Sequence, residues 1–215
     1  MAEGWIRLQI TAELLSDAHF GTGSGGDGVD ALVARDRHGR PVIWASHVEG
    51  VLRDVALRIK DQEAIDFFGR WGGEAQKAIF SSLYTSKFAE TRVWRSTARA
   101  SFDNRAPKED TLHAFECVPK GTTFAGEVEL PEAQLPILDR LGQQVDALGS
   151  QRATGTGRVR LALKRIDPPK RNVGTAKERL LLLLKSRDPV CITATATPDN
   201  LIPSLPFVPG RAVLG

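Results

Sequence analysis

Cysteine is nearly absent: Cys117 and Cys191 are the only two in 215 residues, and they form no CxxC pair. That excludes a disulfide framework and the four-ligand spacing of a structural zinc site, and leaves two reduced, buried thiols as the expectation. Long apolar runs are missing as well. The first residues, MAEGWIRLQI, lack the basic start and apolar stretch of a secretory signal, and the leucine run at 180–184 is far too short to span a bilayer. A soluble, cytoplasmic protein with no membrane partner is expected. Nor is there an excess of one charge: 29 Lys and Arg against 26 Asp and Glu leave a formal charge of +3, although the pI is ≈ 9.0. A nucleic-acid surface would have to come from local clustering rather than bulk charge. No GK[ST] follows a glycine-rich segment, so there is no Walker loop, and the four histidines show neither HxxxH nor Ser-His-Asp spacing.

What is present suits an ordinary globular core, with 41% hydrophobic and 26% charged residues. Alternation over 5–15 predicts a strand, with Trp5, Arg7 and Gln9 on one side, Ile6, Leu8 and Ile10 on the other, and the pattern decaying after them. FGTGSGGDG (20–28) predicts a mobile loop. Leu32 to Ala34 and Val42 to Trp44, separated by turn residues 36–41, predict a hairpin. Helical spacing of Val48, Val51, Leu52, Val55, Leu57 and Ile59 predicts a helix over about 47–60, capped by a Ser46/Glu49 box. DQEAIDFFGRW begins helically, whereas KAIFSSLYTSKF fits helix or strand. Residues 91–112, with Arg92, Arg95, Arg99 and Arg105 among apolar neighbours, predict an exposed hairpin or flexible flap. Two alternating segments, 112–118 and 122–130, predict a second hairpin around Pro119-Lys120-Gly121. A helix over 131–149 and a strand at VRLAL complete an α+β order. PFVPGRAVLG (206–215) aligns on PVIWASHVEG (41–50), which predicts a domain over 1–165 and, over 166–215, a linker and the truncated start of a second copy, as in a fragment of a longer polypeptide.

Three constellations carry chemistry. QRATGTGRVR (151–160) combines unshielded backbone N–H groups with guanidiniums, which suits phosphate oxygens; a solvated turn before a strand is the plainer reading. The first glycine-rich segment ends in Asp27-Gly28-Val29-Asp30. Carboxylates on such a backbone can orient or deprotonate a ribose 2′-OH or hold a divalent metal, or they can simply serve turn geometry. His19, at the end of the first strand, is either a phosphate donor or acid, or structural.

The segment LLSDAHFGTGSGGDGVDALVARDRHGRPVIWASHVEGVLR resembles the amino-terminal signature of the RAMP superfamily of CRISPR-associated proteins. That signature runs from a strand-end histidine and Gly-rich loop through Asp, Val-x-Arg/Lys-Asp and Gly-x-Pro-x-Ile-Pro-Gly-Ser-Ser-Leu-Lys-Gly-x-x-Arg. Asp30, Val33, Arg35-Asp36, Pro41, Ile43, Gly50 and Arg53 fill its slots. LHAFECVPKGTTFAGEVEL is similar to the family's later hairpin motif, and QRATGTGRVRL to its carboxy-terminal Gly-rich loop. The resemblance covers most of 1–165. It implies a ferredoxin-like palm with an inserted thumb hairpin, closest to the repeated Csm and Cmr type backbone subunits of type III effectors. Such subunits bind CRISPR guide RNA, complementary target RNA and the other effector subunits.

By the same resemblance Asp30 is the catalytic aspartate, acting with Mg²⁺ or another divalent metal. His19, Gly21, Gly23, Ser46, Arg53, Arg92, Arg95, Arg152, Gly155, Gly157 and Arg158 are the expected RNA-binding residues. Trp44-Ala45-Ser46-His47-Val48-Glu49 departs from Pro-Gly-Ser-Ser-Leu-Lys, which implies weaker or differently arranged guide contacts. Three functions fit: a target-cutting subunit, a non-catalytic scaffold or cap, and a metal-free, histidine-centred guide-processing ribonuclease.

Overall fold

The computed structural model describes residues 4–166 apart from Asp27, 69–77, 87–88 and 100–106. The expected repeat at 206–215, Cys191, Arg105 and all but the first residue of the 166–215 segment lie outside the described residues.

β1 (Trp5–Leu14) is an inner strand of the sheet. Its alternation does not decay: Ile6, Leu8, Ile10, Ala12 and Leu14 all face the core, because the period of two holds to the strand's end even where the residue is only an alanine. β1 lies between β7 (Thr123–Pro131) and β8 (Val159–Ile166), antiparallel to both, with Ile10 opposite Gly126 on one side and Leu163 on the other. β4 (Leu83–Thr85) and β3 (Ile79–Phe80) pair with β7, and β2 (Val42–Ile43) pairs with β4. KAIFSSLYTSKF therefore supplies two short strands and no helix among its described residues.

With helices α1 (Ala45–Arg58), α2 (Gln62–Phe67) and α3 (Leu135–Gln143), the chain reads β1-α1-β4-β7-α3-β8. The spatial order is fourth, first, third, second, the split βαβ arrangement of a ferredoxin-like α+β fold. The hydrophobic core joins one face of the sheet to Val48, Leu52 and Val55 of α1, Phe67 of α2 and Leu138 and Leu141 of α3. Among the described residues no helix is long and apolar enough to cross a membrane.

Several local expectations are corrected. α1 starts at Ala45 with Trp44 at the N-cap and no side-chain cap, so Ser46 and Glu49 form no capping box; the Ala45 N–H donates instead to Ser82 Oγ at 3.1 Å. Leu57 and Ile59 are 54% and 40% exposed, since Leu57 points away from the Val55 stripe and Ile59 sits where the helix ends. α3 stops at Gln143 rather than 149. Val145 and Leu148 are buried but extended, because Leu148 N–H finds the Gly157 carbonyl at 2.8 Å and Asp146 C=O accepts from Val159 at 3.0 Å. That tertiary pairing overrides the helical period.

β5 (Arg92–Arg99) and β6 (Pro107–Cys117) pair antiparallel as a separate two-stranded sheet, as expected of a hairpin; Arg92 to Arg95 are exposed, whereas Ala114, Phe115 and Cys117 are buried. β6 does not pair with β7, so the second predicted hairpin is wrong. The Pro119-Lys120-Gly121 turn is real but wraps the end of β1: Gly121 N–H donates to Leu14 C=O at 2.8 Å, and Ala18 and Val118 exchange backbone hydrogen bonds of 2.9 and 2.8 Å. The connection from β6 to β7 thus bonds to the end of β1 and the residues just after it, and the two strands do not pair with each other. Cys117 is a buried, free thiol as expected, its pKa pushed up to about 12 by burial and by the Asp17 and Glu116 charges.

Candidate functional site

The glycine-rich segment after β1 is drawn into a hairpin by backbone hydrogen bonds. Thr22 N–H donates to Leu32 C=O (3.1 Å), Ala34 to Phe20 (2.7 Å), and Gly26 and Val29 exchange bonds of 2.9 and 3.0 Å. Gly21 is bridged to Val33, and Gly23 and Gly28 take the positive φ values of 80° and 77° that its bends need. The expected turn at 36–40 follows, closed by Asp36, whose carboxylate accepts from the His38 and Arg40 amides and the Arg40 guanidinium.

The returning arm of this hairpin adds to the edge of β6 as a short parallel strand. Ala31 lies opposite Phe115, and Glu116 N–H donates to Ala31 C=O at 2.9 Å. Asp30 therefore sits where the main sheet's first glycine-rich segment meets the β5–β6 sheet. Its amide donates to Ala114 C=O at 2.7 Å, and its Oδ2 accepts from Ala114 N–H at 2.7 Å. The carboxylate stays 59% exposed, with His113 Nδ1 at 3.9 Å.

His19 is held by the same edge of β6, two residues on. Its Nδ1 lies 2.6 Å from the Glu116 carbonyl, which can only accept, so Nδ1 is the donor of that bond. The ring packs edge-on to Phe115 at 5.9 Å. Two residues of strand place His19 and Asp30 about 7 Å apart along β6. The Glu116 side chain locks this junction: it accepts from Val33 N–H (2.9 Å), Thr91 Oγ1 (2.6 Å) and Arg35 (2.7 Å) while only 13% exposed. Burial pushes its pKa up, but those three donors outweigh burial and hold it below the ordinary carboxylate value.

The second glycine-rich segment folds against the first. Ser150 N–H donates to His19 C=O at 3.0 Å, Gly157 N–H to Asp17 C=O at 2.8 Å, and Thr156 Oγ1 bonds the carbonyls of Ser150 and Gln151. Gly155 and Gly157 have φ of 86° and 73°. Arg152 sits in a short 3₁₀ turn (Arg152–Thr154), 3.7 Å from Asp54 of α1, and Arg158 is exposed. His47, in the first turn of α1, accepts the Gly149 N–H through Nε2 at 2.8 Å. Burial first, then the Arg152 charge, hold its pKa below the ordinary histidine value.

The structure thus brings His19, Gly21, Gly157 and the start of α1 together. Ser46 and Arg53 lie seven residues apart on the exposed side of that helix. Arg92, Arg95 and Asp30 belong instead to the β5–β6 junction, with Arg95 opposite Ala114 across the ladder. Trp94 Nε1 fastens β5 to the palm through Asp17 Oδ2 at 3.2 Å. Sequence reasoning weighed His47 and His113 only for metal or triad spacing, and it did not single out Glu116. Glu116 had a signal: a carboxylate in an apolar strand segment, FEC, needs a cationic or multi-donor partner.

Among the described residues no group of three or more His, Cys, Asp or Glu converges as a metal cage. A divalent ion at Asp30 would have to draw most of its ligands from phosphate oxygens and water, a donor set that suits Mg²⁺.

A family model described as the RAMP superfamily matches residues 11–160. No curated protein matches the chain. Two solved chains are similar to it in fold. One, from the Type III-B Cmr-beta complex bound to cognate target RNA, has a TM-score of 0.61 and 18% identity over 75% of this chain and 61% of that chain. The other, from Type III-B Cmr-beta in the apo state, has a TM-score of 0.60 and 13% identity over 74% of this chain and 97% of that chain.

Proposed function

The chain belongs to the RAMP superfamily, and from that premise we propose that it is a type III CRISPR effector subunit that holds guide RNA and cuts the complementary target RNA at Asp30. The observation that carries the reading is the placement of Asp30. An aspartate with an exposed carboxylate, held to Ala114 once through its amide and once through Oδ2, stands between the first glycine-rich hairpin and the β5–β6 sheet bearing Arg92 and Arg95. Exposed arginines and backbone amides around folded glycine-rich segments suit the phosphates of a single strand.

The Asp30 carboxylate takes the proton of a ribose 2′-OH while that oxygen attacks the adjacent phosphorus. The P–O2′ bond forms and the P–O5′ bond breaks, leaving a 2′,3′-cyclic phosphate and a 5′-oxygen that is protonated by solvent. A divalent ion shared by Asp30 and the phosphate would supply charge stabilisation on the phosphoryl oxygens.

One observation favours a scaffold instead: Asp30 Oδ2 already accepts the Ala114 amide, which is a structural task. Asp30→Asn separates the two, since an amide oxygen still accepts that N–H but is no base. In the assembled complex with guide RNA, Asp30→Asn is expected to bind target within about twofold of wild type and cut it at least ~100-fold more slowly. Cutting at the wild-type rate would remove Asp30 from the chemistry. A wild-type complex that binds target yet leaves it intact in Mg²⁺ assigns the scaffold role. Cutting that survives EDTA and needs His19 assigns guide processing.

A further inference from the structure

A half-open pocket of ≈ 210 Å³ lies where the strand-end histidine, the start of α1 and the second glycine-rich segment meet. Its walls are largely rings: His19, Phe20, Trp44 and His47, with Ile43 behind them and Gly149 at one side. We propose that this pocket receives one unstacked nucleobase of the RNA strand carried by the subunit, with Trp44 as the stacking surface. The inference rests on the reading of the chain as an RNA-binding subunit and adds a base-accepting site to it.

Three observations support it. The rings are braced rather than collapsible: Phe20 meets His47 edge-on at 6.1 Å and Phe124 at 5.5 Å, and His19 is fixed by Glu116 and Phe115. Phe20 and His19 are each only 6% exposed, whereas Trp44 and His47 have intermediate exposure; His47 is tied to the Gly149 N–H, so Trp44, at the N-cap, is the ring offered to a ligand. The glycines keep the space open and the walls close. A Cβ at Gly149 would come within 2.6 Å of the His19 carbonyl oxygen, and one at Gly21 within 2.6 Å of His19 Nε2. The rim presents the start of α1, whose first turn contains no acidic residue, with Arg152 beside it in an ion pair of 3.7 Å with Asp54.

Size selects the occupant. Pockets that enclose a whole small molecule usually exceed about 300 Å³. This one is smaller and open on one side, so it fits a single ring system presented by a chain held elsewhere. Splayed bases stacked on Trp, Phe or His side chains are the usual way proteins read single-stranded RNA, and each stacked base commonly contributes about tenfold or more in affinity.

The test uses the full-length chain and fluorescein-labelled single-stranded RNA followed by anisotropy. Trp44→Ala is expected to weaken binding about tenfold and Trp44→Phe by less than about threefold, with circular dichroism melts showing both variants folded. RNA with abasic residues should weaken wild type by the same factor and leave Trp44→Ala unchanged. Placing the abasic residues in guide or in target, within the assembled complex, identifies which strand supplies the base. A folded Trp44→Ala with wild-type affinity overturns the pocket and leaves the RNA-binding reading intact, as do abasic and Trp44→Ala losses that multiply. Failure of the wild-type chain to bind RNA both alone and in the complex overturns both.

Discussion

Asp30 and Ala114 bind each other twice, main chain to main chain and main chain to carboxylate, each at 2.7 Å. An aspartate 84 residues away in sequence is thereby tied to β6. Its carboxylate direction is set by β6 rather than by the glycines that precede it.

Removing that carboxylate is expected to expose the clamp locally. In Asp30→Ala the buried Ala114 N–H loses its partner, a cost of about 1–3 kcal/mol confined to the junction. Hydrogen exchange at the Ala114 amide should quicken by about tenfold or more in Asp30→Ala and stay near wild type in Asp30→Asn. Equal protection in all three proteins would show that the side-chain bond contributes nothing.

Glu116 makes the junction acid-labile. Its folded pKa lies below the ordinary 4.5, because the Thr91, Val33 and Arg35 donors outweigh burial. A depressed carboxylate contributes stability that is present above the unfolded value and is lost as pH falls through the folded one. Glu116→Gln should therefore be less stable than wild type at neutral pH, with the gap narrowing as pH drops below about 4.5. Asp36 and Asp61, also depressed, titrate in both proteins and cancel in the difference. Denaturant melts at pH 7 and in the acid range check this, and a gap that stays constant would mean the carboxylate charge is not involved.

Two glycines of the second glycine-rich segment should respond differently to alanine. Both have positive φ, so each substitution costs about 1–2 kcal/mol in backbone strain. A Cβ at Gly155 meets nothing within 4 Å, whereas one at Gly157 would overlap the Leu148 carbonyl oxygen, which is fixed backbone. Gly157→Ala should lower Tm clearly more than Gly155→Ala. Equal losses would mean that the close approach to Leu148 relaxes at no cost.

How legible all this was in the sequence depended on the range of the interactions. β1, α1 and β8 were readable because their core faces repeat at the local period, as Ile6, Leu8 and Ile10 or Val48, Leu52 and Val55 do. What failed was set by distant partners. The Leu148 pairing that shortens α3 and the Ser82 hydroxyl that replaces a Ser46 cap are both tertiary, as is the wrap of residues 118–122 around β1. The family signature located Asp30, His19 and the glycines, but not their mutual support. Nothing local in FECVPKG says that one glutamate orients His19 with its carbonyl and fastens Val33, Arg35 and Thr91 with its carboxylate. His47 was weighed only for metal or triad spacing, while its bond to Gly149 spans 102 residues.

That bond makes the second glycine-rich segment pH-sensitive. Burial, and after it the Arg152 charge, lower the His47 pKa, so the unfolded chain takes up the proton first. The neutral ring's contribution is fully present above the unfolded value of 6.5 and is lost as pH falls through the window below it, where protonation also removes the lone pair that accepts the Gly149 N–H. Glutamine in place of His47 can offer a carbonyl oxygen to that N–H and does not titrate. Wild-type Tm should therefore fall more steeply than that of His47→Gln between pH 7 and about pH 5. Other titrating groups facing the loop, His19 and Asp54 among them, are common to both proteins. Parallel Tm curves would show that His47 is not the group through which this segment senses pH.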